Sequence, residues 1–234
     1  LFPYTTLFRS EGHGEFHLQQ WQAALNKVAI AYPGIRLKKS GRLGFSNWRI
    51  SGSHIPVTLI ENSLWDGMSP ENAVFLRNPL SPYEGPNFEV VLVKSDKLRV
   101  IFRLHHAVGD TGAMRHIIDD VFRVLKGGEA IGSNSVLCDF DILSRIPRSR
   151  LPKSTNTDIA PTGLPQEYKL LPKMMIAIRQ ATDTLLKDRS PQEDMRIRLT
   201  VDMRRHLPKD TRTTANCSGA FDVCVSSDDS PKNI

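Results

Sequence analysis

The amino-acid sequence predicts a mixed α/β (α+β) fold in two layers, with a mixed or largely antiparallel sheet covered by helices. Three observations predict it. Stretches with helical apolar periodicity are separated by short alternating segments typical of strands. Hydrophobic residues make up 40% of the 234 residues, enough for a sizeable core. A stretch rich in Pro and Ser divides these elements, so we expect one structural half and the start of a second.

The first ten residues are predicted not to belong to this fold. Residues 1–10, LFPYTTLFRS, match the translation of a common short-read sequencing adapter, and we interpret them as a non-native scar without structure. Native sequence is then expected to begin near Glu11. Since the chain also stops soon after an apolar run at residues 220–225, we expect it to be a fragment of a longer gene.

The first predicted helix spans about residues 16–32, where apolar side chains recur every three or four positions. Pro33 and Gly34 are expected to end it. Short alternating segments then predict strands, and the turn-rich residues 61–72 predict a loop. These strand segments are residues 35–37, 48–50 and 57–60.

Two further apolar runs, residues 88–93 and 98–104, flank a Ser-Asp-Lys turn and predict a β-hairpin. A helical apolar stripe follows from residue 113 to about residue 126. Asp119 and Asp120 are expected on the polar side of this helix. The candidate functional residues lie between the hairpin and the helix.

The domain organisation follows from these elements. Residues 11–130 are predicted to form an N-terminal half, residues 131–165 a linker or crossover, and residues 166–234 the beginning of a truncated C-terminal half. The elements expected within the last range are a helix at residues 172–186 and strands at residues 196–203 and 221–225.

Composition narrows the classes of function. The net charge of +6 suits an anionic partner such as a phosphate-bearing substrate. Nucleic-acid binding is not predicted, because the sequence has no basic face with interleaved aromatic residues. No apolar run approaches the ~20 residues that span a bilayer, so no membrane span is predicted. Three cysteines without CxxC spacing favour a reducing, cytoplasmic setting. The densest basic group comprises Arg145, Arg148, Arg150 and Lys153.

The candidate site is LHHAVGD at residues 104–110, which places a carboxylate four positions after the second of two histidines. Imidazole, with an ordinary pKa of about 6.5, suits proton transfer near neutral pH. Because successive strand residues face opposite sides, one histidine is expected in the core and the other in a cleft. We predict His106 as the general base, His105 as a supporting core residue, and Asp110 as a structural residue that caps the following helix.

The sequence favours other chemistries less. A bare pair of histidines is most often structural. Here the preceding strand, the following helix and the Asp between them favour a catalytic role. His105, His106 and Asp110 could each bind a metal, but neighbouring strand residues diverge and the HExxH spacing is absent, so no metal is predicted. The sequence contains neither a GxSxG elbow nor a cysteine in an activating motif, so a covalent nucleophile is not predicted.

Residues 105–110 resemble the HHxxxD signature of the chloramphenicol acetyltransferase-like superfamily of thioester-dependent acyltransferases. This superfamily includes nonribosomal peptide synthetase condensation domains, alcohol acetyltransferases and BAHD acyltransferases. The resemblance covers most of residues 16–225. Its other segments are an opening helix that ends in YPGIR at residues 32–36, PNFEV at residues 86–90, and VDMR at residues 201–204, followed by Pro208 and Asn216.

The resemblance implies two related halves with a tunnel between them, and His106 as the base that deprotonates an alcohol or amine acceptor. It also implies a structural salt bridge between Asp110 and Arg204, with Arg36 as the alternative partner. It implies no tightly bound cofactor; the donor would be an acyl-CoA or a phosphopantetheinyl thioester on a carrier protein. Without the rest of its second half, the fragment alone is expected to be inactive.

Two alternatives stay open within this interpretation. The VDMR segment favours a free-standing acyltransferase, and a nonribosomal peptide synthetase condensation domain is the runner-up. A non-catalytic homologue that binds carrier-linked substrates is the other alternative. Its support is Thr111, which stands where the superfamily usually has Gly, while Gly112 follows one place later. Ala215 likewise precedes Asn216 where Gly is usual.

Overall fold

The computed structural model of the chain describes residues 5–41, 45–52, 54–69, 71–137, 141, 170–185, 194–226 and 229. The basic group at residues 145–153 and most of the predicted linker, residues 131–165, lie outside the described residues. The chain divides into two compact units. The first unit comprises Leu1–Leu143 and Met203–Cys217, and the second comprises Ser144–Asp202 and Ser218–Ile234.

The segment Met203–Cys217, which lies within the predicted C-terminal range, residues 166–234, groups with the first unit. Arg204 and Arg212 of this segment bind carboxylates of the first unit, which explains the grouping. The domain boundaries stay a prediction.

The first unit contains a four-stranded sheet, a separate two-stranded sheet and two helices. Its elements are β1 (Thr5–Gly12), α1 (Leu18–Ala31), β2 (Leu37–Ser40), β3 (Asn47–Ile50), β4 (Val57–Ile60), β5 (Phe88–Lys94), β6 (Leu98–His105) and α2 (Thr111–Leu125). The large sheet has the order β1-β6-β5-β4; β4 is parallel to β5, and the other neighbours are antiparallel. Strands β2 and β3 form the small antiparallel sheet.

The predicted mixed α/β fold is confirmed, and the predicted hairpin is the pair β5–β6. One predicted strand differs, because a 3-10 turn occupies Pro33–Arg36 and β2 begins only at Leu37. Proline fixes its own φ at a value close to the helical one, which favours a turn there. Among the described residues, every helix falls short of the length and apolar content that a membrane span needs.

Strand β1 contains residues that the sequence analysis placed outside the fold. Thr5–Gly12 pair antiparallel with all of β6, so the structure differs from the expectation that residues 1–10 lack structure. The physical reason is that β6 would otherwise have an unpaired edge, and the alternation within β1 fits the pleat. The ring centroid of Phe8, for example, lies 6.5 Å from that of Phe102. The adapter origin of these residues stays a prediction.

One face of the large sheet packs against α1 and α2 and forms the main core. Alternate residues of β5 and β6 point to this face, because strand side chains alternate between two sides. Phe102 lies in the middle of an aromatic cluster, 5.9–6.5 Å between neighbouring ring centroids. The buried strand residues on this face are Phe88, Val90, Leu92, Val100, Phe102 and Leu104.

The opposite face of the sheet carries buried charges that the sequence analysis did not predict. Arg99 and Arg103 are only 3% and 2% exposed. Arg99 Nε lies 3.1 Å from Glu11 Oε1, and Arg103 pairs with Glu89. A buried guanidinium needs such partners, because an unpaired buried charge is costly. A cavity of about 890 Å³ opens on this face, lined by residues of β1 and of the loop around Trp65.

The second unit contains α3 (Leu170–Leu185), β7 (Met195–Asp202) and β8 (Ser218–Val225). Strands β7 and β8 pair antiparallel, and the small core of this unit joins Met175 of α3 to β8. Arg179 Nη1 donates a hydrogen bond of 2.7 Å to the last carbonyl of β8. The helix and the two strands expected here are thus present, each with slightly different bounds.

Candidate active site

Strand β6 brings the two histidines to one end of the large sheet. His105 is its last residue and is 8% exposed, and its backbone N–H donates to the Asn87 carbonyl at 2.8 Å. The Nδ1 atom of its ring accepts the backbone N–H of Ala107 at 3.1 Å. Burial lowers the pKa of His105, and the neighbouring His106 lowers it further. His105 is therefore held as a neutral ring within the sheet.

His106 lies in the turn that follows β6 and is half-buried. Its Nδ1 atom lies 3.2 Å from the carbonyl oxygen of Gly109. When Nδ1 carries the ring proton, it donates to this carbonyl, and the lone pair that accepts a proton is then on Nε2. A backbone carbonyl that fixes one ring nitrogen in this way orients the imidazole.

Asp110 is 1% exposed and is the N-cap of α2. Its Oδ1 accepts the backbone N–H of Ala113 at 3.0 Å, as a helix cap does. Its Oδ2 accepts the backbone N–H of Cys217 at 2.7 Å. The carboxylate therefore starts the helix and also binds a segment more than a hundred residues away in sequence.

Arg204 completes the surroundings of Asp110. Its Nη1 lies 2.6 Å from the Asp110 carboxylate, and its side chain is 12% exposed. Burial raises the pKa of Asp110, but the hydrogen bonds from Arg204 and from two backbone N–H groups outweigh burial and hold the pKa below its usual value. Arg204 is thus the guanidinium that pairs with Asp110 in the structure.

Gly112 provides the space for the Arg204 side chain. A Cβ atom added at Gly112 would lie 2.6 Å from Arg204 Nη1, well inside the usual non-bonded separation. Thr111, by contrast, is exposed at the first position of α2. The departure at Thr111 therefore leaves the packing beside Asp110 intact, because the close approach is made one residue later.

A second carboxylate of α2 is buried, and the sequence analysis missed it. Asp120 was expected on the polar side of the helix but is 0% exposed. Its Oδ2 accepts the Tyr32 hydroxyl at 2.7 Å and lies 3.0 Å from Arg212 Nη2. Burial opposes its ionisation, but the hydrogen bonds from Gly132 and Tyr32 hold its pKa below the usual value. Helical periodicity alone does not tell which of two adjacent acids turns inward.

His116, on α2, should make the first unit sensitive to mild acid. Burial lowers its pKa, and the positive charges of Arg212 and Arg204 lower it further. The folded state favours the neutral His116 ring. The contribution of His116 to the free energy of unfolding is therefore complete above its unfolded pKa of about 6.5, and it is lost as the pH falls through its pKa in the folded state. We expect the free energy of unfolding to fall between about pH 7 and pH 5. Urea titrations at several pH values measure it.

The variant His116→Gln tests the source of this acid sensitivity. We expect it to flatten the pH dependence, leaving the smaller part due to His105, whose pKa is also lowered. His13→Gln, at an exposed position, is the matched control. The buried carboxylates act only below about pH 4, so they do not contribute in this range. An equal slope in His116→Gln and the parent chain would refute the assignment.

Solved structures show which fold carries this arrangement. The epimerization domain from the third module of tyrocidine synthetase B is 12% identical with a TM-score of 0.62, over 97% of this chain and 64% of its own. The first condensation domain of the CDA synthetase is 18% identical with a TM-score of 0.59, over 95% of this chain and 63% of its own. F. sporotrichioides TRI101, complexed with coenzyme A and T-2, is 11% identical with a TM-score of 0.64, over 95% of this chain and 65% of its own. The chain has the condensation-domain and acyltransferase fold.

The similarity to these structures confirms the fold that the resemblance implied. This chain spans less than two thirds of the length of each of these neighbours, between 63% and 65%. No protein-family model and no curated protein sequence matches the chain. The likeness thus lies in the path of the backbone, and the chemistry has to be argued from the side chains.

The metal and thiol chemistries weighed in the sequence analysis involve carboxylates, histidines and cysteines. Within the part of the chain that the structure describes, no group of three or more His, Cys, Asp or Glu side chains is placed to hold a metal ion. Cys217 is buried and Cys224 is exposed, and neither forms a disulfide with the other. Cys217 meets the site through its backbone N–H. His106 is a half-buried imidazole four residues before Asp110.

Proposed function

We propose that the chain is the base-bearing part of an acyltransferase that uses an acyl thioester, with His106 as the general base. The observation that carries the proposal is the 3.2 Å approach of His106 Nδ1 to the Gly109 carbonyl oxygen, on a loop fixed by the Asp110–Arg204 pair. This arrangement orients the imidazole ring of His106. The condensation–acyltransferase fold supports the same reaction class.

The proposed reaction uses the His106 ring as the proton acceptor. With its Nδ1 proton donated to Gly109, the His106 ring accepts the acceptor's proton at Nε2 as the acceptor oxygen or nitrogen attacks the thioester carbonyl. A tetrahedral oxyanion forms and collapses, the carbon–sulfur bond breaks, and the proton passes from Nε2 to the departing sulfur. The products are an ester or amide and a free thiol. A positioned base contributes about 10²–10⁴-fold to such a rate.

The donor and acceptor are proposed by class. TRI101 is complexed with coenzyme A, which supports an acyl-CoA donor, and the likeness to a condensation domain supports a phosphopantetheinyl thioester on a carrier protein. The acceptor is an alcohol or an amine. Neither donor requires a tightly bound cofactor. A cytoplasmic location, predicted from the cysteines, suits both donors.

A transfer assay with the full-length protein that contains this chain tests the proposal. A panel of acyl-CoA thioesters and acyl-loaded carrier proteins is mixed with alcohol and amine acceptors, and thiol release is followed together with product mass. We expect product with at least one donor class, and the preferred class separates a free-standing acyltransferase from a condensation domain. Binding of a thioester without any product would overturn the catalytic proposal in favour of a carrier-binding homologue.

A further inference from the structure

The segment Met203–Cys217 is attached to the rest of the first unit at two points along α2. At the first point, Arg204 binds Asp110, the N-cap of the helix. At the second, Arg212 binds Asp120, ten residues further along the helix. Only the first attachment belongs to the motifs that the sequence analysis used. The second is an independent buried ion pair, and the mechanism above makes no use of it.

Arg212 is held from several sides. Its Nη2 lies 3.0 Å from Asp120 Oδ2 and also donates to the Tyr32 hydroxyl. Its Nε donates to the Gly132 carbonyl at 3.0 Å, and its backbone N–H donates to Asn134 Oδ1 at 2.8 Å. The side chain is 15% exposed and that of Asp120 is 0% exposed. Charge-assisted hydrogen bonds of this kind in a buried setting fix a segment firmly.

The fixed segment packs against the loop that carries the base. A Cβ atom added at Gly109 would lie 2.8 Å from the backbone oxygen of Thr214, two residues after Arg212. Thr214 also packs closely against Gly34, because a Cβ atom added at Gly34 would lie 2.8 Å from the Cβ atom of Thr214. The Gly109 carbonyl is the group that approaches His106 Nδ1. A continuous set of contacts therefore leads from Arg212 through Thr214 and Gly109 to the base.

We propose that Arg212 is a positioning residue for His106. Its pair with Asp120 holds Thr214 against Gly109, and so keeps the Gly109 carbonyl where it favours the Nδ1–H form of the His106 ring. Arg212 touches no reacting atom and acts through the loop. The inference deepens the proposed function, on which it rests for the role of the base, but the ring geometry that it concerns is measurable without any acyl transfer.

The test is the tautomer ratio of His106 in the 234-residue chain, read from ring ¹⁵N chemical shifts at a pH where the ring is neutral. The seven histidines are assigned by substitution, with His106→Asn marking the signal. Arg212→Met should lower the ratio of Nδ1–H to Nε2–H roughly fivefold, the loss of about one hydrogen bond. Arg212→Lys, which keeps a charge beside Asp120, should restore part of the ratio.

Arg123→Met is the matched control. Arg123 Nε lies 3.4 Å from the other oxygen of the same carboxylate, Asp120 Oδ1, but Arg123 belongs to α2 and not to the attached segment. Removing it should leave the His106 ratio unchanged. A merely structural Arg212 would lower the thermal midpoint and leave the ratio of the folded chain at its original value, and that outcome would overturn the proposal.

Tyr32→Phe keeps the proposal testable should Arg212→Met fail to fold. This variant removes only the hydroxyl shared by Asp120 and Arg212. We expect a smaller shift of the ratio in the same direction, and an unchanged ratio would count against the positioning role. A wild-type protein that transfers no acyl group would overturn the proposed function alone, because the tautomer measurement would still report whether Arg212 positions the ring.

Discussion

Replacing His106 with alanine is expected to lower kcat/KM for acyl transfer by about 10²–10⁴-fold in the full-length protein, because a positioned general base contributes that much. Binding of the thioester should change little, since the base acts on the acceptor's proton. The loss should therefore fall mainly on kcat. Steady-state rates of thiol release, measured over a range of donor and acceptor concentrations, give both parameters.

Two variants accompany this measurement. His13→Ala removes an exposed histidine far along the chain from the site and should leave the rate unchanged. His106→Gln keeps a polar side chain of similar size without a basic nitrogen, and it should be as slow as His106→Ala. Undiminished transfer in His106→Ala, with an intact fold by circular dichroism, would end the assignment of His106 as the base.

Replacing Asp110 with alanine is expected to lower the free energy of unfolding of the first unit by about 3–5 kcal/mol, the usual effect of removing one partner of a buried ion pair. The change leaves the Arg204 guanidinium without its carboxylate and removes the N-cap of α2. Both losses act in the same direction. Urea unfolding monitored by tryptophan fluorescence measures the change.

A double-mutant cycle separates the ion pair from the cap. Arg204→Met and Asp110→Ala are combined, and the coupling energy reports the pair alone. The exposed pair Lys27–Glu129, in the same unit, is the control, since its nitrogen–oxygen distance is 3.7 Å and its side chains are 58% and 86% exposed. Glu129→Ala should have little effect, because exposed pairs are screened by water. Equal losses at the two sites would contradict the argument from burial.

The fold was largely predictable because its elements have strong periodicity. The helical stripe of α2 and the apolar runs of β5 and β6 each match one period, so their type follows from the sequence. Strand β1 was not predictable, since its place depends on the edge that β6 offers rather than on its own residues. The location of Met203–Cys217 in the first unit depends likewise on two arginines finding carboxylates distant in sequence.

The site was predictable only in part. The motif around His106 is a local sequence pattern, and the approach of Arg204 to Asp110, distant in sequence, was implied by the resemblance. The pair formed by Asp120 and Arg212 belongs to no pattern used in the sequence analysis, and the carboxylate reads as a solvent-facing residue of an amphipathic helix. Its burial follows from Tyr32, which reaches it from α1's end. Contacts of this kind arise from tertiary packing and have no one-dimensional signature.

The contacts made by Asp110 also affect the order in which the chain folds. The carboxylate is joined to Arg204 and to the Cys217 backbone, which lie 94 and 107 residues later in the chain. Contacts so far apart form late, because a long loop must close first. During synthesis on a ribosome, the histidines therefore emerge long before the residues that lock their loop. A nascent chain that ends before Met203 would contain both imidazoles but would lack the contacts that Arg204 and Cys217 make with Asp110.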